Sequence, residues 1–112
     1  EGETADEAKI YKEFSDKFNT DPNTLNGYAW RMTELQLNLE DALLKSTSAI
    51  ELTADNLQQQ ANILDTKAEV LWLLNKYDEA ISIINLAIDI KPNSDYFKQQ
   101  KIKFQNYERL VL

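Results

Sequence analysis

The chain is 112 residues long, 43% hydrophobic and 28% charged, a length that argues for one domain. It contains no Cys and no His, which excludes thiolate nucleophiles, disulfides, Cys/His zinc sites and imidazole relays, so an active site would need carboxylates, Lys or Tyr. The net charge of −7 opposes nonspecific attraction to nucleic acid or anionic membranes, and no apolar stretch approaches the ~20 residues that span a bilayer.

Two Gly (Gly2, Gly27) and two Pro (Pro22, Pro92) are too few for a sheet protein full of tight turns and exclude a Gly-rich phosphate loop. The expected fold class is all-α, with caps and breakers marking about six helices. Thr4 and Glu7 form a capping box for the first, whose apolar side is Ala8, Tyr11, Phe14 and Phe18 and which stops before Pro22. A second helix is expected from Asn23 to Leu37, with Leu25, Tyr28, Ala29, Met32 and Leu35 at helical spacing. Asn38 caps the third, whose stripe runs Leu39, Ala42, Leu43, Ser46, Ala49, Ile50 to Leu52. Thr53 caps the longest, Ala54 to Leu74, with Leu57, Ala61, Leu64, Ala68, Leu71 and Leu74 on one side and Asn75 suited to a left-handed C-terminal position. The fifth carries Asp78 and Glu79 in its first turn, buries Ala80, Ile81, Ile84, Ala87 and Ile88, and ends at Pro92. Ser94 caps the last, with Tyr96, Phe97, Gln100, Phe104, Tyr107 and Val111 on its buried side.

An internal repeat underlies this order. Leu39, Ala42, Ser46, Ala49, Ile50 and Leu52 share every spacing with Tyr77, Ala80, Ile84, Ala87, Ile88 and Ile90 at an offset of 38, and Tyr28-Ala29-Trp30 lies over Lys67-Ala68-Glu69 at an offset of 39. Helix pairs recurring at this period characterise α-solenoids, where each hairpin buries its apolar side only by stacking on neighbours. Residues 61–94 resemble one tetratricopeptide repeat: Leu64 large, Ala68 small, Leu71, then Tyr77, Ala80, Ile84, Ala87 and Pro92. Asn75-Lys76-Tyr77-Asp78-Glu79-Ala80-Ile81 is similar to the family's turn and second-helix start. Residues 23–56 form a degenerate unit without the terminal Pro, and the extra residues before 61 extend the first helix of the next unit, giving a second unit over 57–94. Residues 1–22 resemble the end of a preceding unit and 95–112 a capping helix, so the expected architecture is a TPR-like α-solenoid of about six antiparallel helices.

The resemblance implies that first helices line a concave groove for peptides or partner subunits. By position, the groove would present Asn26, Trp30 and Thr33, then Asn62, Asp65, Glu69 and Trp72, then Gln99 and Lys103. Each Trp either anchors a ligand or fills the wedge between adjacent first helices. The family's carboxylate clamp of Lys, Asn and Arg is absent, since its places hold Asn26 and Trp30 in one unit and Asp65 and Glu69 in the other, so no chaperone-tail binding is expected. Asp65 and Glu69 stand one turn apart, a spacing that could ligate a metal or supply acid and base, but no His completes a di-metal motif; neither catalysis, a cofactor nor a metal is expected. Asp65 is instead expected to bond to Asn26 or Lys103.

Charge is unevenly distributed: residues 1–90 carry 7 Lys/Arg against 17 Asp/Glu, and residues 91–112 carry 5 against 2. This asymmetry and the partial units at both ends are compatible with self-association. Asn26-Gly27-Tyr28-Ala29-Trp30 and Leu64 to Trp72 are also similar to helical regions that follow thioredoxin-like domains in some bacterial proteins, which implies an accessory role in a larger protein of the cytoplasm or periplasm. The first residue is not Met, so a processed or excised segment is expected.

Overall fold

In the computed structural model, the backbone is described for residues 2–111 and the side chains for residues 2–106. The chain forms α1 (Gly2–Lys17), α2 (Pro22–Leu35), α3 (Leu39–Leu52), α4 (Leu57–Leu73), α5 (Tyr77–Ile90) and α6 (Asp95–Val111), with no strand among the described residues.

Local chemistry sets the boundaries. Pro22 occupies the first position of α2, where its missing N–H costs nothing, and the Asp21 carboxylate accepts from the Asn23 N–H at 3.3 Å and the Thr24 hydroxyl at 2.6 Å. Asn75 takes the expected left-handed conformation (φ 65°) after α4, and the Lys76 N–H reaches back to the Leu71 carbonyl at 2.9 Å. The Ser94 hydroxyl accepts from the Phe97 N–H at 3.2 Å, as a cap should. Three boundaries differ from expectation. α1 already runs from Gly2, ahead of Thr4; α2 ends at Leu35, where Gln36 turns left-handed at φ 55°; and α4 begins at Leu57. Thr53 closes α3 instead of opening α4, because its hydroxyl donates to the Ala49 and Ile50 carbonyls at 2.9 and 3.1 Å. Asn56, a stronger cap, accepts from the Gln59 N–H at 3.1 Å and takes that role.

Each helix packs on the next, and α2 also packs on α4, and α4 on α6; α3 and α5 make no close backbone approach. The body measures 36 × 34 × 19 Å, the thickness of about two helix layers at the usual 8–10 Å separation. Ala29, Ala42, Ala49, Ala61, Ala68, Ala80 and Ala87 are all fully buried, and they let backbones approach closely. The largest apolar cluster joins Leu64 and Leu71 of α4 to Ile84 of α5 and to Phe97 and Phe104 of α6; a second joins Tyr28 and Met32 of α2 to Val70 of α4.

The first helix is the main departure in packing. Ala8 and Ser15 are its buried positions, whereas Tyr11, Phe14 and Phe18, expected inside, are exposed at 41%, 53% and 41%. Ser15 is held from α3, where Lys45 Nζ donates to its hydroxyl at 3.0 Å and pairs with Asp16 at 2.8 Å. At the other end of the chain Phe97, Gln100 and Phe104 are buried as expected, but Tyr96 is half exposed; Tyr107 and Val111 lie outside the described side chains.

Candidate functional site

Asp65 and Glu69 project from successive turns of α4 toward α6 and are only 6% and 9% exposed. Two carboxylates at that depth require donors, since an unpaired buried charge is costly. Gln100 supplies both: its Nε2 donates to Asp65 Oδ1 at 3.0 Å and to Glu69 Oε1 at 2.9 Å. Lys103 Nζ then binds both Glu69 oxygens, at 2.8 and 3.1 Å, and lies 4.5 Å above the Trp72 ring. Trp72 and Phe104 pack with ring centres 5.7 Å apart, so Trp72 fills the wedge between α4 and α6.

Burial pushes the Asp65 carboxyl up to about 6; the Glu69 charge adds to this, while the Gln100 hydrogen bond and Lys103 oppose it. Burial also pushes the Tyr96 hydroxyl up to about 12, and both carboxylates reinforce the shift. The expected Asp65 bond to Asn26 or Lys103 is replaced by the bond to Gln100, and Lys103 goes to Glu69. Sequence spacing placed Gln100 on the buried side of the last helix but carried no sign that its amide bridges two carboxylates. No group of three or more Asp, Glu, His or Cys that could hold a metal occurs among the described residues.

The remaining expected site residues divide by exposure. Asn62 and Gln99 are exposed, and Asn62 Oδ1 accepts from Lys91 Nζ at 3.4 Å. Asn26 is half-buried, with its Oδ1 shielded from solvent and without a donor among the described residues. Thr33 is buried and turns its hydroxyl to the Trp30 carbonyl within its own helix, at 2.5 Å, so it presents little to a ligand.

Trp30 is half-buried, as is Trp72, which lines a cavity of about 270 Å³ with Gln36, Leu73 and Asn75. Trp30 lines a cavity of about 370 Å³ between α1 and α2, together with Tyr11, Phe14, Gly27 and Arg31. Nothing would obstruct a Cβ at Gly27, so the wall there is open. Arg31 is fixed at the rim by Glu7 at 2.5 and 3.1 Å and by Glu34 at 2.9 Å, and its hydrogen bond holds the Glu7 carboxyl below its ordinary value. Beneath it the Tyr28 hydroxyl donates to Asp41 at 2.7 Å, and Lys45 lies 4.7 Å over the Tyr28 ring. The participation of Tyr11 and Phe14 in an open cavity was missed, since helical spacing alone marked them as core.

Searches against protein-family models, characterised proteins and solved structures return no match to the chain.

Proposed function

We propose that the chain is a TPR-like α-solenoid that binds a peptide or a partner subunit on the face formed by α2, α4 and α6, without catalysis and without a cofactor. The packing order supports the repeat reading: α2 and α4 act as first helices packed side by side, and α3 and α5 as second helices that pack on the first helices and not on each other. So do the fully buried alanines at equivalent places in the two units, Ala29 and Ala68, Ala42 and Ala80, Ala49 and Ala87.

The observation that carries the binding role is the environment of Trp30, a half-buried aromatic at the α2 end of the first-helix row that lines the cavity between α1 and α2. The repeat register assigns Asn26, Asn62 and Gln99 to the same row, and Lys103, bound to Glu69, marks its α6 end. Asp65, Glu69 and Trp72 form the floor on which α6 lies and act by holding that helix in place.

Display selection of peptides against the chain, read with single-tryptophan variants, tests this role. Binding of a selected peptide should shift the emission of the Trp72→Phe protein, in which Trp30 remains, and leave the Trp30→Phe protein nearly unchanged. Peptides that bind without any Trp30 response, or a selection that yields none, would contradict it.

A further inference from the structure

The seam between α4 and α6 is built chiefly from side chains, because the backbone of α6 lies mainly along α5 and approaches α4 at few points. Its apolar part is Trp72 against Phe104. In its polar part, Gln100 Nε2 donates to Asp65 at 3.0 Å and to Glu69 at 2.9 Å, and Lys103 Nζ is committed to Glu69 at 2.8 and 3.1 Å. One amide nitrogen thus has both carboxylates within its reach, which holds them close together at 6% and 9% exposure. Two negative charges share one ammonium, and the neutral amide cannot supply a second.

No other group that faces Asp65 offsets this surplus. Glu69 on its own helix repels the Asp65 charge, and Lys103 of α6 attracts it while bound to Glu69. Tyr96 of α6 faces both carboxylates and is disfavoured from ionising by burial and by their charges, so it stays neutral. From the end of α5, Lys91 donates to Asn62, almost one turn before Asp65, at 3.4 Å. Among the described residues, α2 and α3 set no charged side chain against Asp65. The seam therefore holds one uncompensated negative charge in neutral solution, and burial makes that charge costly. A single proton removes it: the protonated carboxyl keeps an oxygen for the Gln100 donor and gains an O–H, the donor that the cluster lacks.

From this geometry we propose that the α4–α6 seam is a proton-operated latch, in which uptake of one proton by the Asp65–Glu69 pair clamps α6 onto α4 and its loss in neutral solution loosens α6. The direction follows from where the proton is held. Asp65 binds it more tightly with α6 docked, at about 6 against an ordinary 3.8, so docking gains strength as pH falls through 6 and loses it as pH rises. With the ordinary value restored when α6 lifts, the docking equilibrium is about tenfold more favourable at pH 5 than at pH 7.5. Because α6 carries Gln99, the latch sets how firmly that end of the proposed binding row is presented. This consequence rests on the binding role proposed above, whereas the latch itself does not.

Amide hydrogen exchange of the whole chain at pH 5 and pH 7.5, without any peptide, tests the latch. Each rate is divided by the unstructured rate at the same pH, and α5 serves as the internal reference. In the wild type, amides of α6 up to Asn106 should be protected about tenfold more at pH 5, with a smaller change along α5. Asp65→Asn, neutral at both pH values, should abolish the change. Glu69→Gln removes the repelling charge and frees Lys103 to neutralise Asp65, so it should reduce the change to about twofold or less. Equal α6 protection at both pH values in the wild type, a change of equal size along α5, or a change that survives Asp65→Asn would overturn the inference. Peptide binding plays no part in these readings, so a failed latch leaves the binding role standing, and a failed peptide selection leaves the latch standing.

Discussion

Replacing Asp65 with Asn should stabilise the protein, and by an amount that depends on pH in a defined direction. The Asp65 carboxyl is raised from an ordinary 3.8 to about 6, mainly because burial disfavours its charged form. That gap corresponds to about 3 kcal/mol at full ionisation, since each tenfold change in proton affinity is worth ~1.4 kcal/mol. The folded state holds the proton more tightly than the unfolded state, so the cost is complete above pH 6, shrinks as pH falls from 6 toward 3.8, and is absent below. Asn keeps a carbonyl oxygen for the Gln100 Nε2 donor, now 3.0 Å from Asp65 Oδ1, but adds an amide that needs its own acceptor. The expected net gain is therefore about 1–3 kcal/mol at pH 7, falling toward zero near pH 4. Urea denaturation of both proteins across this range measures it. An Asp65→Asn protein no more stable than wild type at pH 7, or a difference that does not change with pH, would refute the account of the buried cluster.

Two further substitutions probe the packing. Gln100→Ala removes the donor shared by Asp65 and Glu69 and should cost about 2–4 kcal/mol, with loss of amide-exchange protection along α6; a cost under ~0.5 kcal/mol with α6 still protected would show that Gln100 does not hold it. Phe14→Ala, studied at a concentration where the protein is monomeric, should change stability by no more than about 0.5 kcal/mol, because its ring faces open space. A loss of ~3–5 kcal/mol, the cost of truncating a core Phe, would place that ring inside.

Much of the helical order was legible because the relevant interactions are local. Asn75, Ser94 and the Asp21-Pro22 start act within a few residues of themselves, and alanines repeating at identical spacings marked the close crossings before any contact was known. The misplaced start of α4 came from two competing local signals: Thr53 caps well in isolation, but its hydroxyl returned to the α3 carbonyls and left Asn56 to open the next helix. The wrong face of α1 has a different cause. An amphipathic stripe shows which side of a helix is apolar, not whether anything covers it, and Tyr11, Phe14 and Phe18 are apolar and uncovered. The polar cluster was partly legible, as Asp65, Glu69 and Lys103 were placed on one face. Its geometry depends on Gln100, 35 residues beyond Asp65, and no pattern within a single helix reports on such a pair. The two tryptophans were placed on one face but at different repeat positions, Trp30 over Glu69 and Trp72 over Thr33, and their contacts set them further apart: Trp72 packs on Phe104 under Lys103, and Trp30 lines the cavity beside α1.

The central claim is that the row of first helices is a binding face, and amide hydrogen exchange of the chain with and without a selected peptide tests it most directly. The prediction is added protection confined to α2 and α4 around Asn26, Trp30 and Asn62, extending to the start of α6 near Gln99. Protection that falls on the exposed surfaces of α3 and α5, around Leu44 and Leu86, would contradict it.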